Sequence, residues 1–88
     1  MDSQELLMKG ADALAEDNLK EAESLFLLAA EADDSNYLAF YNLGTIFFRR
    51  KDYRKAKEFY RKALDINPDY QVARENIALA NFYLAMLA

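Results

Sequence analysis

The chain has 88 residues, of which 53% are apolar, and it contains two glycines, one proline, no cysteine and no histidine. Because cysteine and histidine are absent, disulfides, thiolate chemistry, Cys/His metal sites and histidine-dependent catalytic triads are excluded. The net charge is −4, yet residues 1–36 carry ten acidic and two basic side chains, whereas residues 37–88 carry five acidic and nine basic ones. An acidic half is therefore followed by a basic half.

Neither end of the chain has the features of a targeting or membrane segment. Residues 1–10 lack the basic region and the apolar run of a signal peptide. The most apolar stretch, residues 77–88, is about half as long as a bilayer-spanning helix. We therefore predict no signal peptide and no membrane span, and a cytoplasmic location is the default expectation.

Hydrophobic periodicity and capping residues predict an all-α fold with five helices, at about residues 3–15, 19–32, 36–50, 53–66 and 70–87. Asp2 with Glu5, and Asn18 with Glu21, have the spacing of the capping boxes that open helices. Asp52 is placed to cap the fourth helix. The short connections between these helices favour antiparallel helix-turn-helix pairs.

Residues 36–68 contain the clearest pattern, two amphipathic helices joined by a turn at residues 50–52. Small residues, Gly44, Ala56 and Ala63, occur where large side chains would hold the two helices apart. The pattern consists of Phe40, Leu43, Gly44, Phe47, Ala56, Tyr60, Ala63 and Pro68. It resembles the tetratricopeptide repeat, a helix-turn-helix unit of about 34 residues that stacks into a superhelix.

Residues 2–34 are a second copy of this unit at an offset of 34 residues. The aligned pairs include Gly10 with Gly44, Ala22 with Ala56, Phe26 with Tyr60 and Ala29 with Ala63. Lys9 in place of Leu43, and Asp34 in place of Pro68, are interpreted as features of an end repeat that meets water. We therefore predict one domain over residues 1–88, with repeat one at 3–36, repeat two at 37–70 and a closing helix at 71–88.

The predicted fifth helix is apolar around most of its circumference. The stripe that we expect to pack on the second repeat comprises Ala73, Ile77, Ala80, Leu84 and Leu87. A second stripe, on roughly the opposite side, comprises Leu79, Phe82, Tyr83 and Met86. Because such a helix is normally buried, we expect a partner or a second copy to cover it, or a following helix if the chain is an excised fragment.

The resemblance implies that the first helix of each repeat lines a concave groove, which holds extended peptides or helices in this family. The corresponding residues are Leu7, Ala11, Leu14, Leu38, Tyr41, Asn42, Thr45, Phe48, Arg49, Val72, Glu75, Asn76, Leu79, Phe82 and Tyr83. The expected apolar anchors are Tyr41, Phe48, Leu79 and Phe82, and the expected orienting groups are Asn42, Asn76 and Arg49. A core role is favoured for Phe40, Phe47, Phe59 and Tyr60.

One subclass of the family binds C-terminal carboxylates through a clamp of lysine, asparagine and arginine side chains. The matching positions of this chain hold Leu7, Ala11, Asn42, Val72 and Asn76, and only Asn42 agrees with the clamp. A carboxylate buried without a basic partner is strongly penalised. Binding of chaperone tails in this mode is therefore not expected.

The basic run at residues 49–62 contains aromatic residues among its cations, a pattern also found in nucleic-acid-binding proteins. The aromatic residues are assigned to the helix–helix core and the cations to a solvated face, so nucleic acid is an unfavoured partner. Head-to-tail association or electrostatic steering of a partner fits the charge asymmetry better. The serines have no histidine to activate them, and both glycines lie within helices. We predict no enzyme, no metal and no cofactor.

These observations predict a protein–protein interaction scaffold that binds an apolar peptide or helix in its groove. The alternative, from a different functional class, is structural self-assembly through the groove and the apolar side chains Leu79, Phe82 and Met86.

Overall fold

A computed structural model describes all 88 residues of the chain. It contains α1 (Ser3–Ala15), α2 (Leu19–Ala32), α3 (Tyr37–Arg49), α4 (Tyr53–Ile66) and α5 (Gln71–Leu87), and no strand. The all-α prediction and the order of the five helices are confirmed. The third and fifth helices are shorter than predicted because Asn36, Arg50 and Tyr70 serve as caps outside the helical hydrogen-bond pattern.

Two of the three predicted N-caps have the expected geometry. Asp2 and Asp52 each accept a hydrogen bond from the backbone N–H three residues later, at 2.8 Å and 3.2 Å. Asn18 occupies the N-cap position of α2 as predicted, but its side-chain amide donates to the Glu21 carboxylate at 2.8 Å and makes no capping bond to the helix backbone.

The turns within the two repeats share an unusual backbone conformation. Asp17 and Lys51, which lie 34 residues apart, both have positive φ angles, of 59° and 65°. In each turn the N–H of the following residue donates to the carbonyl oxygen five residues earlier, at 2.9 Å. Such a bond closes the C-terminal end of a helix through a left-handed residue. The two repeats therefore have the same backbone conformation and the same hydrogen bond in their turns.

Each repeat packs its two helices at the predicted glycine. A Cβ atom added at Gly10 would lie 2.6 Å from the Phe26 ring, and one added at Gly44 would lie 2.7 Å from the Tyr60 ring. The larger core cluster joins the first repeat to α3 and comprises Leu6, Leu7, Ala13, Ala22, Phe26, Ala29, Ala39, Leu43 and Ile46. The smaller cluster comprises Phe47, Ala56, Tyr60 and Ala73.

The helix α5 packs on α4 mainly through two small residues, Ala73 and Ala80, which are fully buried. Ile77 and Leu84 are half-buried, as part of the predicted packing stripe. The prediction is wrong for Leu87, which is 72% exposed. Tyr83 stacks on Tyr53, the first residue of α4, at 5.1 Å between ring centroids. The last turn of α5 therefore projects beyond the start of α4.

The aromatic residues assigned to the core divide into two groups. Phe47 and Tyr60 are buried, whereas Phe40 and Phe59 are half-buried at the surface of the helix pair. The ammonium group of Lys62 lies 5.7 Å from the centroid of Phe40 and 5.8 Å from that of Phe59. Lys62 is exposed, as predicted for the cations of the basic run, and its ammonium group also lies over aromatic rings.

Candidate functional site

The 34-residue offset extends into α5 and identifies its faces. In the second repeat, Gly44 and Phe47 contact α4, and the Phe47 ring stacks on Phe59 at 5.5 Å between centroids. The residues of α5 at the same repeat positions are Ala78 and Asn81, which are exposed. In α3 this face binds α4. In α5 the same face carries only small or polar side chains.

Four of the five large exposed side chains of α5, all except Leu87, lie on one face, which repeat positions match to the concave side of α3. Leu79 and Phe82 occupy the repeat positions of Thr45 and Phe48 in α3. The exposed fractions along this side are 41% for Val72, 42% for Leu79, 58% for Phe82 and 66% for Met86. The concave side of α5 is therefore an open apolar surface.

A cavity of about 190 Å³ opens between α3 and α5, and we call it the groove cavity. It is lined by Tyr41, Thr45, Phe48, Arg49, Tyr60, Asn76 and Leu79. Six of these seven residues were predicted as groove residues. The seventh, Tyr60, was assigned to the core, and it does belong to the smaller core cluster while it also lines the cavity.

The polar groups of the groove cavity are held by hydrogen bonds with one another. The Asn76 side-chain amide donates to the Tyr41 hydroxyl at 3.2 Å, and the hydroxyls of Thr45 and Tyr60 lie 3.2 Å apart. Burial raises the pKa of the Tyr60 hydroxyl, with the Thr45 hydrogen bond acting in the opposite direction. Because this hydroxyl stays neutral at physiological pH, it remains available as a hydrogen-bond donor.

Several predicted groove residues are engaged elsewhere. Leu7 is 7% exposed and belongs to the larger core cluster, so it offers little surface to a ligand. Leu14 and Leu38 are half-buried against the same cluster. The Asn42 amide donates to the Leu38 carbonyl oxygen at 2.9 Å, and the Arg49 guanidinium donates to that of Leu14 at 3.3 Å.

A second cavity, of about 450 Å³, lies where α3 and α5 end, and we call it the end cavity. It is lined by Phe48, Lys51, Tyr53, Tyr83, Met86 and Leu87. Phe48 lines both cavities. Lys51 and Tyr53 were not predicted as site residues, because they belong to the turn and to the second helix of the repeat rather than to a groove helix.

None of the five helices combines the length and the hydrophobicity that a membrane span requires.

The fold and the site define a helical-repeat protein with two stacked helix-turn-helix units, a fifth helix and an apolar concave side. Residues 37–70, the predicted second repeat, match the family model described as tetratricopeptide repeat. The chain belongs to the tetratricopeptide-repeat family.

Two curated relatives are similar over most of the chain. The chain is 39% identical to the photosystem I assembly protein Ycf3 of Cyanophora paradoxa over 71 residues, which are 81% of this chain and 39% of that protein. It is 32% identical to the anaphase-promoting complex subunit CDC16 of Saccharomyces cerevisiae over 63 residues, 72% of this chain and 8% of that subunit. The chain thus spans less than half the length of either relative.

Two solved structures have the same fold. The MamA protein superposes with a TM-score of 0.87 at 24% identity over 90% of this chain and 43% of its own, which shows the fold alone. The structure described as the first TPR of Spaghetti (RPAP3) bound to the HSP90 peptide SRMEEVD has a TM-score of 0.89. It is 27% identical, and the similarity covers 99% of this chain and 73% of that one.

Proposed function

We propose that this chain is a protein–protein interaction scaffold whose concave groove binds an apolar peptide or helix of a partner protein. Tetratricopeptide-repeat proteins are generally interaction modules rather than enzymes, which supports the coarse function. The observation that carries the finer proposal is the apolar surface of Leu79 and Phe82 beside the groove cavity and its polar groups. Exposed apolar patches of this kind mark interaction sites.

The relation to a peptide-bound neighbour supports a peptide as the occupant. The RPAP3 repeat domain, which has the same fold, is described as bound to an HSP90 peptide. The present chain has Leu7, Ala11 and Val72 at three positions of the carboxylate clamp. The neighbour therefore supports a peptide as the ligand, whereas Leu7, Ala11 and Val72 favour apolar side chains over a terminal carboxylate.

To test this proposal, a peptide that binds the wild-type chain is first selected from a display library. Its affinity is then measured for variants in which the proposed anchors are replaced by alanine. We expect Phe82→Ala to weaken binding by about tenfold or more, because large central aromatics carry most interface energy. Phe48→Ala should have a similar effect, and fluorescence anisotropy measures both. Leu28→Ala removes an apolar side chain of 49% exposure from α2, outside the groove, and is the matched control. Equal binding by all variants, with helicity intact, would contradict the proposal.

A second candidate is self-assembly through the same surface. Leu79, Phe82 and Met86 are exposed and contiguous, and Arg74 and Glu75 are the only charged residues of α5, so little charge repels a second copy. A single charge, as in Leu79→Glu or Met86→Lys, should then convert an assembly into a monomer, because burying an unpaired charge is costly. Light scattering over a range of concentrations measures this change. A charged variant that stays associated would exclude this surface.

A further inference from the structure

The exposed residues on the concave side of α5 follow the spacing of a coiled-coil seam. Positions 72, 75, 79, 82 and 86 alternate in steps of three and four, and four of them are exposed apolar residues. We call Val72, Glu75, Leu79, Phe82 and Met86 the α5 seam. A stripe with this period of 3.5 residues faces a second helix along its whole length. At 1.5 Å per residue the seam is about 21 Å long.

The α5 seam is distinct from the face that binds the second helix of a repeat. That face of α5 carries Arg74, Ala78, Asn81 and Ala85, which are exposed and are small or polar. The corresponding residues of α3 include Phe40, Gly44 and Phe47. Each of them lies against a residue of α4: Lys62, Tyr60 and Phe59, respectively. A helix that covers the seam would therefore lie in the groove, where a ligand binds, rather than where a further repeat helix packs.

The two ends of the seam differ in charge. Lys51 lines the end cavity together with Met86, and it forms no ion pair within the chain. Glu75, near the other end of the seam, is exposed and also unpaired. Arg49 also lines the groove cavity, but its guanidinium lies 3.8 Å from the Asp17 carboxylate and is therefore already paired. A helix on the seam thus meets an unpaired positive group at one end and an unpaired negative group at the other.

We infer that the occupant of the groove is an amphipathic α-helix that lies antiparallel to α5, with acidic residues in its first turns beside Lys51 and basic residues in its last turns beside Glu75. Helices favour acidic residues near the N-terminus and basic residues near the C-terminus, so the two charges also set the direction. The end cavity of about 450 Å³ accommodates a large apolar side chain from the first turns. This inference rests on the proposed function and specifies its partner.

The probe is a synthetic helix of about 15 residues, which matches the seam length of about 21 Å. It carries leucine at the coiled-coil positions, glutamate in the first turns and lysine in the last turns. The control peptide has the same composition with glutamate and lysine exchanged. We expect the probe to bind about fivefold more tightly than the control, as expected for two exposed ion pairs. Fluorescence anisotropy measures both affinities, and circular dichroism reports the helix formed on binding.

The matched protein variant carries Lys51→Glu together with Glu75→Lys. Both side chains are exposed, and a glutamate at position 51 meets the same positive φ of 65° as the lysine, so the fold should persist. This double variant should prefer the control peptide by about the same factor of five. Equal binding of both peptides to both proteins would overturn the inferred charge polarity and direction of the helix.

The outcomes separate this inference from the proposed function. If a library-selected peptide binds and is lost in Phe82→Ala, yet gains no helicity when bound, the helical partner is wrong while groove binding stands. If no ligand depends on Phe82, the proposed function itself fails. If the wild-type chain self-associates, and the synthetic helix neither binds to it nor dissociates the assembly, a second copy is the occupant and the inferred partner is wrong.

Discussion

Gly44 illustrates how a single residue sets the distance between two helices. A Cβ atom at this position would lie 2.7 Å from two carbons of the Tyr60 ring and 3.1 Å from the Ala56 carbonyl oxygen. Tyr60 is 1% exposed and packs with Phe47, Ala56 and Ala73, so moving its ring away would disturb the smaller core cluster. Glycine inside a helix costs about 0.5–1 kcal/mol relative to alanine, and the close approach of α3 to α4 offsets this cost.

Substitution of this glycine tests the close approach. We expect Gly44→Ala to lower the free energy of unfolding by about 1–3 kcal/mol, because overpacking outweighs the gain in helix propensity. Urea denaturation followed by circular dichroism measures the change. Ala78, the equivalent residue of α5, is exposed and contacts no second repeat helix. Ala78→Gly should therefore also destabilise the chain, by about 0.5–1 kcal/mol, through propensity alone. A Gly44→Ala variant as stable as the wild type would contradict the packing argument.

At the scale of the elements, the charge asymmetry of the sequence joins the two repeats. The Arg50 guanidinium, at the end of α3, donates to the Glu23 carboxylate of α2 at 2.7 Å, and both side chains are about one-third exposed. Arg49 lies 3.8 Å from Asp17, and this pair is more open to solvent. The opposite charges of the two halves thus act between adjacent helices of one chain, in addition to any effect on a partner.

A double-mutant cycle tests the contact between the repeats. We expect Arg50→Ala and Glu23→Ala to show a coupling free energy of about 0.5–1 kcal/mol that decreases with added salt. The pair Arg49 and Asp17 is the internal control, and its coupling should be close to zero because its atoms are further apart and more solvated. Thermal unfolding of the single and double variants provides the values. Equal coupling in both cycles would show that the short distance has no energetic consequence.

At the scale of the whole molecule, burial is distributed unevenly along the stack. The larger cluster joins α1, α2 and α3, whereas α5 contributes only Ala73 and Ala80 as buried residues. In a repeat protein each helix is stabilised by its neighbours, and α5 has a single principal neighbour, α4. The concave surface that we propose for binding is therefore built partly on the least buried helix.

Hydrogen exchange tests this distribution of stability. We expect the backbone amides of α5 to exchange faster than those of α3, because local opening follows from few buried contacts. A bound helix or peptide should slow exchange in α5 more than in α2, which lies away from the groove. Exchange measured by mass spectrometry on the free and bound chain resolves the helices. Protection of α5 equal to that of α3 in the free chain would contradict the expectation.

Most of the fold follows from the order of residues. The helix bounds, the pairing of helices and the contacts of Gly10 and Gly44 were predictable, because they depend on local periodicity and on an internal repeat. The groove cavity was also largely predictable, since repeat positions define which side chains face the concave side. The engagement of Asn42 and Arg49 was not, because a hydrogen bond to a particular carbonyl depends on side-chain conformation rather than on spacing.

The sequence by itself determined a pair of tetratricopeptide-like units followed by an apolar fifth helix, because side-chain size at fixed intervals is a property of the chain. Only the tertiary structure decided which residues remained exposed. Leu7 entered the core and Leu87 projected beyond α4, while Lys51 joined Phe48 and Met86 around the end cavity. These outcomes depend on where neighbouring helices end and how far they overlap, which are distances between segments that no local pattern encodes.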